Sequence, residues 1–371
     1  MNTREKFLKI ARFELTDELM LPREWQWFWI TTLERWRKEG LPEDVHLSEF
    51  FGFERMEMFP IILGEHTSLL PAFEWQVLEE TGDYRIVITE EGIKRKEFIP
   101  KTQGEEKTPR SMSQWLEFPI KNRADWQRFK KRLNPNSPAR YPEYWEDKKH
   151  YWQQNRDYIL GLQVGSFYGW VRDWVGMENL SLMFYDNPSL VHEMMEYLEY
   201  FIIETIRKAV EEIKFDFVHF WEDMAYKTGP LVSPKMFKEF ILPHYKKITE
   251  FLRRYGIDII TVDSDGNIDE LIPLWLEGGV NGFLPMEVAA GMDAVALRKK
   301  YGKNLILIGN IDKRALIKNK EAIRKEVMSK VPYLLSQGGY FPTIDHAVPP
   351  DVPFENYMYY LQFLRKITGD K

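Results

Sequence analysis

The sequence predicts an α/β protein with one parallel sheet, and within that class it favours a (β/α)8 TIM barrel. Five short apolar runs of strand character each end in polar or acidic residues, as Ile257–Val262 does at Asp263 and Asp265. Helical patterns return between such runs from residue 157 onward. Because parallel strands deliver their carboxyl ends to one face of a barrel, the polar tips predict an active site at that face.

The predicted elements follow one another in the order strand, loop, helix. Strands with their polar tips are expected at residues 158–164, 217–223, 257–267, 280–287, 305–312 and 339–346. Helices are expected at residues 188–214, 234–255, 271–276, 294–301, 320–335 and 354–367. No second change of composition interrupts the alternation, so residues 1–371 are predicted to form a single domain.

The amino-terminal third has a different pattern. Asn2 and Glu5 form a capping-box-like start to a first helix that reaches about Arg12. Residues 74–99 alternate about two turn signals, which is typical of an antiparallel β-meander. We therefore expect an amino-terminal extension that contains an inserted meander at residues 74–99.

Composition excludes several classes of function. The 371 residues carry a net charge of −6 with acids and bases well mixed, so neither a nucleic-acid-binding stripe nor a polybasic membrane patch stands out. The absence of cysteine excludes disulfides, thiolate nucleophiles and every cysteine-ligated metal site. The first residues contain no apolar signal segment, and no run of about 18 apolar residues occurs, so a soluble cytoplasmic protein is expected.

Two carboxylates and one histidine are the strongest candidates for chemistry. Asp263 and Asp265 are two residues apart at a strand end, and His346 follows the last predicted strand. Neighbouring carboxylates repel each other, which raises one pKa or recruits a metal, and histidine ligates metals or moves protons. We therefore predict a divalent metal, zinc or similar, on Asp263, Asp265 and His346. The alternatives are a turn or helix cap for Asp265 and a structural hydrogen bond for His346.

Two further acids end the strand predicted at 217–223. One of them, Glu222 or Asp223, is predicted to assist His346 in proton transfer as a catalytic residue. The alternative for one of these acids is a salt bridge to Lys227.

A third group of residues is predicted to bind the substrate. Gly165 and Gly169 permit a tight turn after a strand, which directs the side chains around them to the mouth of the barrel. These side chains, together with an acid that follows a later strand, are Tyr168, Trp170, Arg172, Asp173 and Glu287. An ion pair between Arg172 and Asp173 and a loop cap by Glu287 are the alternatives.

The carboxyl-terminal half of the chain resembles the uroporphyrinogen decarboxylase superfamily. The resemblance rests on four segments in matching order and spacing, at residues 220–225, 231–244, 308–312 and 345–356. It implies a (β/α)8 barrel with its active site at the carboxyl ends of the strands. Of the functional positions of the decarboxylases only His346 carries over, while two others fall on Asp173 and Asp223. Their arginine motif, which grips propionates, is replaced by the tryptophan-rich segment 25–29, and the added acids repel a polyanionic porphyrinogen.

A second branch of that superfamily comprises corrinoid-linked methyltransferases. The zinc ligands of that branch, a His-x-Cys pair and a later Cys, fall on Asp263, Asp265 and His346. The resemblance therefore implies a methyltransferase or demethylase that acts on a small molecule with a corrinoid carried by a partner protein. Decarboxylation in porphyrin biosynthesis and a non-catalytic ligand-binding barrel are the alternative functions, and a homodimer is one of the arrangements left open.

Overall fold

The protein is built on a seven-stranded parallel sheet. A computed structural model describes residues 1–61, 63, 68–99, 113–154 and 156–369. The strands in this part of the chain are β1 (Met56–Met58), β2 (Gln76–Glu80), β3 (Tyr84–Ile88), β4 (Lys94–Phe98), β5 (Gln114–Glu117), β6 (Ile159–Gln163), β7 (Phe217–Trp221), β8 (Ala225–Tyr226), β9 (Gly229–Pro230), β10 (Ile260–Asp263), β11 (Gly282–Leu284), β12 (Ile306–Ile308) and β13 (Tyr340–Phe341). The parallel sheet has the order β1-β6-β7-β10-β11-β12-β13.

Helices separate most strands of this sheet, as the alternating pattern predicted. The longest, α8, begins at Pro188, whose missing N–H is not needed in a first turn, and it buries Leu190, Met194, Leu198 and Phe201 along one face. No described helix combines the length and the apolar character needed to cross a membrane. The helices are α1 (Thr3–Ala11), α2 (Ile30–Lys38), α3 (Leu47–Phe51), α4 (Arg123–Phe129), α5 (Trp145–Gln153), α6 (Tyr168–Val175), α7 (Met177–Asp186), α8 (Pro188–Glu212), α9 (Pro234–Met236), α10 (Leu242–Arg254), α11 (Ile272–Glu277), α12 (Ala294–Tyr301), α13 (Lys313–Lys318), α14 (Lys320–Gln337) and α15 (Phe354–Thr368).

The amino-terminal segment 21–29 bridges the two edge strands of the sheet. On one side, the Arg23 amide donates to the Glu54 carbonyl at 3.0 Å, next to β1. On the other side, the Val348 amide donates to the Trp27 carbonyl at 2.9 Å, beyond β13. The predicted α/β fold with one parallel sheet is thus confirmed, as a curled sheet of seven regular strands. The eighth strand of the predicted barrel is not among them, and the irregular segment 21–29 lies between the two edge strands.

Helix α1 covers the amino-terminal end of the sheet interior. Its capping box at Asn2 and Glu5 is present as predicted. The ring of Phe7 packs against the rings of Trp25, Phe217 and Phe341 at centroid distances of 5.7, 5.8 and 5.4 Å. These apolar contacts fill the interior at this end, so that only the opposite end of the strands is left for a pocket.

The meander predicted at residues 74–99 is present and has a fourth strand. Strands β2, β3, β4 and β5 form an antiparallel sheet in sequence order. None of its described residues lines the cavity at the carboxyl ends of the parallel strands. The described strands of the meander therefore contribute no side chain to the cavity.

Asp216 ties three segments together at the amino-terminal end of the sheet. Its carboxylate accepts hydrogen bonds from Arg4 at 2.6 Å, from Arg156 at 3.1 Å and from the Leu160 amide at 2.9 Å. The Asp216 side chain is fully buried and that of Arg156 is 4% exposed. Loss of the carboxylate charge would leave the Arg156 guanidinium buried without its counter-ion.

We expect the substitution Asp216→Asn to lower the free energy of unfolding by about 3 kcal/mol, because one partner of a buried ion pair is removed. Urea unfolding followed by circular dichroism measures this change. The matched control is Asp258→Asn, which breaks the exposed ion pair with Arg12 and should cost less than about 1 kcal/mol. Equal effects of the two substitutions on stability would contradict the assignment of Asp216 as the buried counter-ion of Arg156.

Candidate active site

A cavity of about 520 Å³ lies at the carboxyl ends of the parallel strands. This volume is typical of a site for a small molecule. The strands contribute Met58, Gln163, His219, Trp221 and Asp263 to its wall. The loops and the bridging segment contribute Glu24, Trp25, Trp27, Asp223, Asp265 and His346. The cavity is therefore at the place that the polar strand tips predicted.

Strand alternation arranges the cavity wall in layers. His219 on β7 is the register partner of Gln163 on β6 and of Thr261 on β10. Two residues further along, Trp221 stands opposite Asp263. Side chains two residues apart on a strand share a face and lie about 6 to 7 Å apart. The His219 layer therefore forms the floor of the cavity, and Trp221 and Asp263 form the wall above it.

Asp265 and His346 form a pair at the mouth of the cavity. The Asp265 Oδ2 atom lies 3.2 Å from the His346 Nε2 atom. The ring of Trp29 stacks on the imidazole with a centroid distance of 6.0 Å. The hydrogen bond that the His346 ring donates to Asp265 raises the pKa of His346 above its usual value of 6.5, although burial opposes the shift. The pair therefore favours an imidazolium that can donate a proton.

Asp223 is held in an unusual backbone conformation. Its φ angle is 46°, in the left-handed region that few residues other than glycine adopt. Its Oδ1 atom accepts a hydrogen bond from the Asp265 amide at 3.1 Å, and its carbonyl accepts one from Arg172. This conformation joins the ends of β7 and β10 and places Asp223 at the cavity wall beside Asp263 and Asp265.

The cavity is strongly acidic. Four carboxylates line it, and no lysine or arginine among the described residues does so: the carboxylates are those of Glu24, Asp223, Asp263 and Asp265. Burial raises the pKa of Glu24. Three of the four acids, Asp223, Asp263 and Asp265, lie on adjacent strand ends, so the negative charge of the wall is concentrated on the side of β7 and β10.

The predicted metal ligands do not form a three-ligand set. Among the residues that the structure describes, no three histidine, aspartate or glutamate side chains are grouped closely enough to hold an ion. Asp265 and His346 are instead bonded to each other through the nitrogen that would bind a metal. The divalent metal predicted on Asp263, Asp265 and His346 therefore stays a prediction, and the reaction steps below use no metal.

Glu222 is a structural residue and does not line the cavity. Its carboxylate is fully buried and accepts hydrogen bonds from the Ser166 hydroxyl at 2.8 Å, from the Tyr245 hydroxyl and from three amides at the start of α6. Burial raises its pKa, and these hydrogen bonds oppose the shift. The prediction that Glu222 acts in proton transfer is therefore corrected, because its oxygen atoms cap helix α6. The alternative of a salt bridge to Lys227 is not observed either.

The predicted aromatic wall of Tyr168 and Trp170 is also corrected. Both side chains are 1% exposed and belong to the core between the sheet and the helices. The Trp170 ring packs beside Gly165 and stacks on Trp174. Burial raises the pKa of Tyr168 to about 12. Helix α6 turns these two rings away from the cavity, because its first turn is fixed on Glu222.

The three remaining predicted substrate-binding residues lie near the cavity without lining it. Arg172 forms an ion pair with Asp173 at 3.0 Å, which was the alternative at the sequence level. The Arg172 guanidinium also lies 5.4 Å from the ring centroid of Trp221. Glu287 accepts a hydrogen bond from the Gly266 amide and pairs with Lys313 at 3.1 Å, which agrees with its alternative as a loop cap.

The sequence analysis missed His219 and three tryptophans. Trp25, Trp27 and Trp221 supply the aromatic surface that had been assigned to Tyr168 and Trp170. The alternation of β7 could have revealed two of the missed residues, because His219 and Trp221 are in phase with each other. Glu222 is out of phase with both. No sequence signal predicts the position of Trp25 and Trp27. They reach the cavity because the irregular segment 21–29 lies between the two edge strands.

We expect Glu222→Gln to lower the free energy of unfolding by about 2 to 4 kcal/mol, because an amide group replaces an oxygen that faces only donors. Thermal and urea unfolding measure the loss. Glu204→Gln is the matched control, since Glu204 pairs with Arg207 on the surface and should change stability by less than about 1 kcal/mol. Unchanged stability together with lost activity would instead identify Glu222 as a catalytic group.

Parts of this chain are similar in sequence to curated proteins. Three curated relatives are each named uroporphyrinogen decarboxylase. The protein from Legionella pneumophila (strain Corby) is 25% identical over 169 residues, 45% of this chain and 44% of the relative. The one from Hordeum vulgare is 28% identical over 139 residues, 37% and 40% of the two chains. The one from Xanthomonas campestris pv. campestris is 30% identical over 139 residues, 33% and 36%. This chain thus spans less than half the length of these relatives.

The fold and the family can be stated from two further comparisons. A solved structure of a methyltransferase from Methanosarcina mazei matches with a TM-score of 0.61 and 14% sequence identity, and the match covers 99% of both chains. At this identity the match shows a shared fold. The model of the family named uroporphyrinogen decarboxylase matches residues 172–367, more than half of the 371 residues. The resemblance seen in the sequence is confirmed, and the chain belongs to the uroporphyrinogen decarboxylase (URO-D) family.

Proposed function

We propose that the protein is an enzyme that transfers a methyl group from a small substrate in the cavity to a nucleophilic acceptor. The observation that carries the proposal is the Asp265–His346 pair, which stands as a proton donor at the mouth of an acidic, tryptophan-lined cavity. The likeness to the Methanosarcina mazei methyltransferase over 99% of both chains supports it. This assigns the protein to the methyltransferase-like branch of its family.

Decarboxylation of a porphyrinogen has less support from the geometry of the cavity. A substrate with many carboxylates needs cationic partners, and four carboxylates face it here with no lysine or arginine among the described lining residues. Two cations near the site in the described part of the chain, Arg172 and Lys313, are paired with Asp173 and Glu287. The relatives named uroporphyrinogen decarboxylase support this alternative by name, but like charges in the cavity oppose it.

His346 supplies the proton in the proposed reaction. The bond between the methyl carbon and a heteroatom of the substrate breaks, and the bonding electron pair stays on the heteroatom. The methyl group passes to the acceptor, and the heteroatom takes a proton from the His346 imidazolium. Asp265 stabilises the imidazolium before the transfer, and Asp223 is the second proton-transfer group at the cavity wall. The rings of Trp25, Trp27 and Trp221 hold the apolar part of the substrate.

The identity of the methyl acceptor rests on the sequence resemblance alone. A corrinoid on a partner protein would supply the nucleophile when bound. No described feature of the structure tests this partner, a homodimer or a divalent ion, so all three stay predictions. The steps above depend only on side chains of this chain.

We expect His346→Ala to lower the rate of methyl transfer by about 100-fold or more, because a general acid contributes at least that factor. The assay follows the absorbance change as free cob(I)alamin is methylated from a panel of methylated amines, ethers and thioethers. In the wild-type protein the rate should fall as pH rises through the raised pKa of His346, because the imidazolium loses its proton. Asp265→Asn should move this fall to lower pH.

The control is His150→Ala, which changes an exposed histidine on α5 and should leave the rate unchanged. A rate that persists in His346→Ala with an unaltered pH profile contradicts the proposed proton donor. Substrate binding without any methyl transfer would support the non-catalytic barrel.

A further inference from the structure

The floor of the cavity presents two neighbouring polar side chains. Gln163 on β6 and His219 on β7 are register partners, and both line the cavity. The same level of the sheet continues through Thr261, Gly282 and Ile306 on the next three strands, and none of these five residues is an acid, a lysine or an arginine. Neighbouring strands lie about 4.8 Å apart, so adjacent side chains at one level can contact the same ligand atom. A ligand that reaches the floor therefore meets an imidazole and an amide.

Thr261 determines which nitrogen of the His219 ring carries the proton. The His219 Nδ1 atom lies 2.9 Å from the Thr261 hydroxyl, which lies 3.1 Å from the Val218 carbonyl. A hydroxyl has one hydrogen and a carbonyl has none, so both contacts are hydrogen bonds only if Thr261 donates to Val218 and accepts from Nδ1. The Thr261 methyl group occupies the space beside Gly282, where a Cβ atom would stand 2.6 Å from it, and this keeps the hydroxyl toward His219. The proton of the neutral ring is therefore on Nδ1.

The second ring nitrogen of His219 is consequently a hydrogen-bond acceptor at the cavity floor. Within the described part of the chain, the only hydrogen bond of the His219 ring is the one at Nδ1, and the side chain is 8% exposed. The side chain of Gln163 lines the cavity and has no hydrogen-bond partner among the same residues. Buried polar groups cost free energy unless they are paired, so both side chains favour a ligand that supplies the missing partners.

A neutral hydroxyl group satisfies both side chains. Burial lowers the pKa of His219 to about 4, so the ring is neutral near pH 7. The same loss of solvation opposes a positive charge on a ligand group at this depth. A hydroxyl has one hydrogen to donate to Nε2 and lone pairs that accept from the Gln163 amide, whereas an ether oxygen can only accept. The floor therefore distinguishes an alcohol from its methyl ether.

The wall of the cavity determines where the rest of the ligand lies. The indole rings of Trp25, Trp27 and Trp221 line the cavity and offer a surface for an apolar body. The Asp265–His346 pair is at the mouth, beyond the level of Trp221. A molecule whose hydroxyl is held at the floor therefore presents its other end to His346.

We propose that His219 and Gln163 are specificity-determining residues that bind a neutral hydroxyl group of the substrate. The hydroxyl donates to His219 Nε2 and accepts from the Gln163 amide, while the apolar body of the substrate lies on the indole rings. The inference rests on the proposed methyl transfer for the role of this molecule as methyl donor, with its methyl-bearing end toward His346. The hydroxyl site itself depends only on the contacts at the floor.

The test is isothermal titration calorimetry of the full chain at pH 7 with three ligands that share one apolar body. Benzyl alcohol carries a hydroxyl, benzyl methyl ether carries an oxygen without a hydrogen, and benzylammonium carries a charge. We expect benzyl alcohol to bind at least about tenfold more tightly than benzyl methyl ether, because the ether leaves the Nε2 acceptor unpaired. Equal or tighter binding of the ether, or no binding of benzyl alcohol at millimolar concentration, would overturn the inference.

Substitutions of His219 separate its two ring nitrogens. Asparagine has an amide nitrogen near the position of Nδ1 and no atom near that of Nε2, so His219→Asn should abolish the preference for benzyl alcohol over the ether. Glutamine reaches the position of Nε2 with a carbonyl oxygen, so His219→Gln should restore part of the preference. The control is His150→Asn, which changes an exposed histidine on α5 and should leave all three affinities unchanged. Full preference in folded His219→Asn would overturn the inference, and so would a loss of benzylammonium binding in that variant alone.

Two further variants test the neighbours of His219 with the imidazole in place. Thr261→Val keeps the branched shape beside Gly282 and removes the hydroxyl that accepts from Nδ1, so it should weaken the preference for benzyl alcohol. Gln163→Leu should weaken the alcohol and the ether by a similar factor, because both oxygens accept from the amide. Unchanged affinities in both folded variants would overturn the inference.

The failure of this inference and the failure of the proposed function give different results. Methylation of cob(I)alamin by a protein that binds benzyl alcohol and its ether equally overturns the inference and leaves the methyltransferase. The expected preference for benzyl alcohol, without methyl transfer from any hydroxyl-bearing methyl donor, overturns the methyltransferase and leaves the hydroxyl site.

Discussion

The two-residue alternation of the parallel strands is the constraint on which the rest of the structure depends. On β7 it places Phe217, His219 and Trp221 on the inner face, and on β10 it places Thr261 and Asp263 there. The lowest of these layers is apolar and packs against Phe7 of helix α1. Because α1 fills that end, the polar members of the pattern meet only at the opposite end, where they form one cavity.

The pKa values of two histidines in that cavity are shifted in opposite directions by their surroundings. His219 is buried on the floor beside a hydroxyl, and burial lowers its pKa to about 4. His346 is at the mouth beside a carboxylate, which raises its pKa. One ring is therefore set to accept a hydrogen bond and the other to donate a proton. This division of roles follows from the positions of the two rings in the cavity.

Much of the fold and part of the site could be predicted from the sequence, because both depend on local periodicity. The strand tips at Asp263, Asp265 and His346 follow from apolar runs that end abruptly, and the structure brings all three to one cavity. Glu222 was predicted wrongly and His219 was not predicted for the same reason. Neighbouring residues on a strand face opposite sides of the sheet, so the residues at a strand end do not all reach the cavity.

The remaining features depend on long-range contacts that no local pattern reports. Tyr168 and Trp170 face the core because Glu222, more than 50 residues away, fixes the first turn of α6. The segment 21–29 brings its tryptophans to the cavity because it bridges the sheet edges near Glu54 and Val348. Both arrangements depend on contacts between distant parts of the chain. The sequence therefore predicts an aromatic wall of Tyr168 and Trp170, whereas the structure forms it from tryptophans of other segments.

We propose that the cavity pairs a hydrogen-bond acceptor, His219, with a proton donor, His346. Long-range ¹H–¹⁵N NMR spectra of protein labelled at its histidines measure both states directly, with His219→Ala and His346→Ala used for assignment. We expect His219 to stay neutral between about pH 5 and pH 8, with its proton on the Nδ1 atom that lies 2.9 Å from the Thr261 hydroxyl, while His346 titrates above its ordinary value. A proton on Nε2 of His219, or a His346 that titrates at or below that value, would contradict it.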